Sequence, residues 1–215
     1  MQSAADKTRA WIGGVAGAFA AYVLLVRPRL VGWGATSEER TAALPGDEFL
    51  PSADIQATRA ITIGARAEEV WPWIAQMGQG RSGLYSYDRL ENLLGCEMHS
   101  ADRIIDHWQV VTPGDAFKLH PEYALHVASV DSGRALVVRG GIPLSEGSPP
   151  PFDFSWGFVL RPQPDGATRL IVRERYRHKR RWARLVTEPT QAVSFFMTEK
   201  MLRGIRDRAE ARLSS

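Results

Sequence analysis

Residues 152–177 read FDFSWGFVLRPQPDGATRLIVRERYR. Phe152, Phe154, Trp156, Phe158 and Leu160 alternate with Asp153, Ser155, Gly157 and Arg161. Successive strand residues point to opposite faces, so the apolar set faces inward. Pro164-Asp165-Gly166 is a turn. A second strand follows over Ala167–Arg177, with Leu170, Val172, Glu174 and Tyr176 inward. Arg169, Arg173, Arg175 and Arg177 face out. Glu174 is thus an acid on an otherwise apolar stripe. A buried carboxylate needs a partner or a raised pKa. Arg139, on a neighbouring strand, is a candidate partner. Three roles stand open for Glu174: an ion pair at the sheet edge, a polar anchor for a ligand, or a general acid or base.

The same period extends upstream. Asp115–His120, Tyr123–Val130 and Arg134–Gly140 read as strands separated by short turns, and Ile142–Pro151 is a Pro/Gly/Ser-rich loop. Ile55–Ile63 is a further strand, with Ala57, Arg59, Ile61 and Ile63 on one face. Between it and the others lie two helices. Ala67–Met77 carries the stripe Val70, Trp73, Ile74 and Met77, and Glu68 and Glu69 suit its first turn. Tyr85–Leu94 is shorter and ends at Gly95. After the hairpin a long helix is expected from Pro189 to Arg212, burying Val193, Phe196, Met197, Met201 and Ile205. The order is strand, two helices, about five antiparallel strands and a long helix, which is an α+β domain. A sheet that curls around one helix encloses space between them.

That order resembles the helix-grip (SRPBCC, START-like, Bet v 1-like) superfamily, which includes polyketide cyclases and lipid-transfer proteins. The local strings EVWPWI (69–74), QMG (76–78), YSYD (85–88), ENLLG (91–95) and HSADRI (99–104) resemble a bacterial branch of it. The resemblance covers residues 45–212. It implies a curved sheet, a long C-terminal helix and a cavity more firmly than it implies a reaction.

The chain has 215 residues, 44% apolar and 24% charged. These are globular values, enough for one medium domain plus an appendage. A single cysteine, Cys96, excludes an internal disulfide or a Cys-rich zinc site. The net charge of +3 is segregated. Lys7, Arg9, Arg27 and Arg29 outnumber Asp6 at the start, and seven basic residues between 173 and 184 face only Glu174. The rest of the chain is net acidic. With no recognition helix or stacking platform, nucleic acid is not an expected partner.

Trp11–Val26, WIGGVAGAFAAYVLLV, is free of charge. It is expected to be a single transmembrane anchor within residues 1–33, joined by a connector over 34–54 to a ligand-binding domain over 55–215. Two other readings compete: a cleaved signal peptide, with Ala18-Phe19-Ala20 as its cleavage pattern, and a buried or interfacial helix. Basic residues flank the span on both sides, so sidedness stays open. The connector has turn residues and no sustained period, with a short helical turn expected near Ser37–Ala43 and Ser37 as its cap. The basic run 173–184 is a candidate contact with anionic lipid.

Gly78-Gln79-Gly80-Arg81-Ser82-Gly83 matches G-x-G-x-x-G but does not follow a strand, so no dinucleotide cofactor is expected. It reads as a helix–helix connection able to act as a lid. His99, Asp102 and Asp106 share a face only if helical, and read as capping and turn groups or as a cavity rim rather than a metal site. No cofactor or metal is expected. No G-x-S-x-G, P-loop, H-E-x-x-H or C-x-x-C occurs.

Binding of a hydrophobic small molecule or lipid is the leading expectation. Trp73, Tyr85, Tyr87, Trp108, Arg139, Trp156, Glu174 and Phe196 are the candidate contacts. A cyclase- or dehydratase-type enzyme using Glu174, His99 or Tyr87 is the alternative. An interaction module with a filled core is the third.

Overall fold

The structure is a computed structural model and describes residues 21–143 and 147–211. Six antiparallel strands form one sheet: β1 (Ile55–Ile63), β2 (Ala116–His120), β3 (Tyr123–Asp131), β4 (Ala135–Gly140), β5 (Phe152–Pro162) and β6 (Thr168–His178). Their order is β1-β6-β5-β4-β3-β2. The first strand in sequence thus pairs with the last, and the rest follow as a meander. The β5–β6 hairpin is in continuous register from Phe152↔His178 to Pro162↔Thr168. Its inward set is as read from the alternation: Phe154, Trp156, Phe158, Leu170, Val172 and Tyr176 all belong to the main core.

Among the described residues, α-helices accompany the sheet: α1 (Arg27–Gly32), α2 (Ser37–Thr41), α3 (Ala67–Ala75), α4 (Asp88–Leu93) and α5 (Arg184–Ala211). In α3, Val70, Trp73 and Ile74 are buried at helical spacing, and the Glu69 carboxylate accepts the Arg66 N–H at 2.8 Å. Pro72, the sixth residue of α3, withholds one donor, that to the Glu68 carbonyl. α4 starts at Asp88 and not at Tyr85, because Tyr85 holds a left-handed backbone at φ 56°.

α5 starts five residues before the expected Pro189. That proline fails only to donate to the Leu185 carbonyl, at an exposed start of the helix. Its buried stripe also differs from expectation. Met201 and Ile205 are buried, but Val193 and Phe196 are exposed. The inward positions of the first half are Thr187, Gln191, Ser194 and Thr198 instead. Ser194 and Thr198 face a buried ion pair, described below, that apolar periodicity could not reveal, while Thr187 meets His178 at 2.8 Å.

The outer face of the sheet is not bare. The segment 34–54 lies across it, with α2 capped by Thr36 rather than Ser37: the Thr36 hydroxyl accepts the Glu39 N–H, and the Glu39 carboxylate accepts the Thr36 N–H. Outward-facing Arg173 is buried beneath this strap. It donates to Asp47 at 2.6 Å, to Thr58 at 3.0 Å and to the Glu39 and Ala42 carbonyls. Arg169 pairs with Glu39 at 2.7 Å, and Arg175 with Asp47 at 3.1 Å.

Most of the Trp11–Val26 run lies outside the described residues. Its described end, Tyr22–Val26, is a π-helical turn leading into α1, with Leu24 and Leu25 exposed. Among the described residues no helix is long and apolar enough to cross a membrane. α1 packs on the domain through Arg27–Glu188 and through an edge contact of Trp33 with Phe195.

Candidate ligand cavity

A cavity of about 260 Å³ lies between the inner face of β5 and β6 and the middle of α5. Phe154, Trp156 and Tyr176 form its sheet wall, and Met197 and Met201 its helix wall. Leu94, largely exposed, marks its mouth beside α4. The volume falls just below the range of small-molecule pockets, about 300–1,000 Å³. A larger hollow, about 570 Å³, lies on the outer face around His126, Arg139, Asp153 and Arg177. Its walls mix charged side chains with apolar ones such as Phe49, Leu50 and Val127, whereas the smaller cavity is walled mainly by apolar side chains.

Glu174 lines this cavity. Its partner is Arg59 of β1, at 2.7 Å, with both side chains almost fully buried. Arg139 is exposed on the opposite face of the sheet, above the Phe49 ring. Residues two apart in a strand share a face, and Ala57 is opposite Glu174, so Arg59 reaches it diagonally. The carboxylate is saturated. Oε1 accepts from Arg59 and from Thr198 at 2.9 Å. Oε2 accepts from Ser194 at 2.5 Å and from Tyr176 at 3.1 Å. Burial and the Glu174 charge hold the Tyr176 hydroxyl well above its ordinary pKa, so it stays a donor. Arg59 Nε donates to the Leu30 carbonyl at 2.8 Å. Four donors leave Glu174 no free acceptor site for proton transfer.

A second carboxyl, Glu91 of α4, also lines the cavity. The sequence pattern does not mark it, because α4 exposes Leu90 and Leu93 while burying Glu91, the reverse of an amphipathic pattern. Ser86 donates to its Oε1 at 3.0 Å, while Oε2 is buried without a partner. Burial, with a smaller contribution from the Asp88 charge, pushes its pKa up against the Ser86 hydrogen bond. Burial and the Glu91 charge raise the Cys96 thiol in turn. The indole Nε1–H of Trp156 likewise has no acceptor.

The other candidate residues are spread around the fold. Trp156 and Glu174 meet in the cavity. Trp73 and Tyr85 are core residues behind it: the Tyr85 hydroxyl donates to the Trp73 carbonyl and accepts from Gln76, and burial pushes its pKa up to about 12. Tyr87, His99 and Phe196 are exposed. Trp108 is half-buried in a short 3-10 turn, Asp106–Trp108, where its carbonyl accepts from Arg81. Residues 99–104 are not helical, so His99, Asp102 and Asp106 do not share a face; Asp102 pairs with Arg208 at 2.9 Å.

The Gly78–Gly83 loop is pinned and does not line the cavity. Gly78 and Gly83 exchange backbone hydrogen bonds, and Gln79 donates to the Lys118 carbonyl. The 173–184 run is likewise partly consumed. Arg173, Arg175, Arg177 and Lys179 pair with Asp47 or Asp153. Among the described residues, no ion pair holds Arg180, Arg181 or Arg184.

A six-stranded antiparallel sheet packed on a long C-terminal helix, with a cavity between them, fits a helix grip. No protein-family model matches the chain, and no curated protein matches it. Among solved structures it is similar to DynU16 of the dynemicin biosynthetic locus, at 16% identity and TM-score 0.40 over 70% of this chain and 46% of that one. The chain thus spans less than half the length of DynU16. CalU16 from Micromonospora echinospora aligns at 16% identity and TM-score 0.35, over 73% and 84%. Protein jhp0584 from Helicobacter pylori aligns at 10% identity and TM-score 0.48, over 78% and 96%. The functional reading rests on the chemistry of the cavity itself.

Proposed function

We propose that the chain binds a compact hydrophobic molecule between its sheet and its long helix, and that residues 1–33 tether it to a membrane. The carrying observation is the apolar cavity of about 260 Å³, walled by Phe154, Trp156, Met197 and Met201. A filled interior would leave no such space. Its size favours a compact ligand over a whole bilayer lipid. The Arg59–Glu174 pair fixes the wall rather than performing acid–base chemistry, since every carboxylate lone pair in use is already engaged.

Support for the tether is the uncharged Trp11–Val26 run and the exposed Leu24 and Leu25. Trp182 and Leu185 are also exposed, beside Arg180, Arg181 and Arg184. Apolar side chains interleaved with unpaired cations suit an anionic lipid surface.

Native mass spectrometry of the full-length protein, extracted gently from membranes, tests both parts. A stoichiometric small-molecule adduct on an intact chain recovered from the membrane fraction is expected. A chain that takes up no apolar molecule, even when offered in excess, would overturn the binding reading. Recovery in the soluble fraction would overturn the tether.

A further inference from the structure

We propose that Glu91 is the ligand-contacting polar group of the cavity, and that it selects a non-anionic apolar molecule bearing a hydrogen-bond donor, such as a hydroxyl. The inference rests on the cavity reading above and names the ligand class. Three observations carry it. Glu91 Oε2 is a buried acceptor with no partner, and Glu91 belongs to the wall of a mainly apolar cavity. A buried polar group left unpaired costs free energy, and a ligand that pairs it recovers that cost. Second, the carboxyl is held in place: Ser86 donates to Oε1, and Glu91 is only 5% exposed.

Third, no lysine, arginine or histidine is among the described lining residues. Glu174, the other lining carboxylate, is neutralised by Arg59. The charged and titratable groups around Glu91 are therefore Asp88 on its own helix, Cys96 after it, and the neutralised Glu174 with the Tyr176 hydroxyl across the cavity. Ser86 and Met197 are the neutral groups at its side. A fatty-acid carboxylate would find no cation and would face an acid. A hydroxyl would donate to Oε2, and the unpaired Trp156 Nε1–H offers a donor to an acceptor elsewhere on the same molecule. The raised pKa of Glu91 is consistent with the absence of any cation beside it.

The test uses the full chain with methyl-labelled methionine, because Met98, Met197 and Met201 line the cavity and report occupancy there. The probes are 1-decanol, decanoate and decylammonium at neutral pH. Decanol is expected to shift these methyls with a Kd at least tenfold below that of decanoate, and Glu91→Gln to narrow that gap at least threefold. Decylammonium is expected to bind more tightly than decanoate, a comparison of two charged probes that stands should the variant not fold. Decanoate binding as tightly as the other two, with the methyls shifted, would overturn the role of Glu91 and leave the cavity reading intact. An unchanged gap in a folded Glu91→Gln protein would do the same. No methyl shift with any probe would overturn both.

Discussion

Arg59 and Glu174 are the most deeply buried ion pair among the described residues, and removing either alone is costly. Both are buried, and each leaves an uncompensated charge when its partner goes. Arg59→Met is therefore expected to destabilise by about 3–5 kcal/mol in urea unfolding. Adding Glu174→Leu should recover most of that loss, since an apolar pair of similar volume needs no desolvation of ions. Glu91 makes the opposite prediction. Its folded-state pKa is raised above the usual 4.5, so the folded protein binds the proton more tightly than the unfolded chain. Ionising it costs stability as pH rises from about 4.5 through the raised value. Glu91→Gln should therefore be more stable than the wild type at pH 7, and the advantage should vanish below pH 4.5. Unfolding midpoints across pH 4–8 check the sign; a constant difference would contradict it.

At the scale of elements, α5 depends on one close approach. Gly204 passes over the Tyr85 backbone, and a Cβ there would lie 2.3 Å from the Tyr85 carbonyl oxygen. Alanine is the better helix former by about 1 kcal/mol. The overlap with backbone should outweigh that, because Tyr85 is itself fixed by Ser100 and Gln76. Gly204→Ala is expected to lose about 1–3 kcal/mol, measured by thermal or urea unfolding; a gain would show that the helix shifts freely.

The strands were the most legible elements, because Phe152 to Leu160 repeats with period two and every member is buried. The α5 stripe was not, because Ser194 and Thr198 occupy inward positions to serve Glu174. The partner of Glu174 was half-legible: Arg59 stood on the same strand face as Ile61 and Ile63. Two lone opposite charges on inward faces are a signal, but using it requires knowing that β1 lies beside β6. Glu91 carried no such signal. Ser86, five residues upstream, donates to it, and the same hydroxyl meets Met197 of the distant α5.

At the scale of the molecule, residues 34–54 are bound to the sheet by side-chain bonds from β6. Asp47 accepts from both Arg173 and Arg175. Asp47→Ala should leave Arg173 buried without its carboxylate, and hydrogen exchange across residues 37–50 should rise several-fold while β5 and β6 stay protected. Uniform exchange across the chain would mean that the strap and the sheet unfold as one unit.

β1 is a nine-residue strand at the border of an open sheet. Its outer rim is closed where Trp33 accepts the Ala60 N–H at 3.1 Å and Gly34 presses against the Ala60 carbonyl, where a Cβ would come within 2.1 Å. An open rim of that length is a template on which another chain can add a strand. The stretch just after α1 is thus a guard against self-association as well as a link. A protein lacking residues 1–34 is expected to form oligomers and fibrillar aggregates through β1, seen by light scattering and thioflavin binding, where the full chain does not.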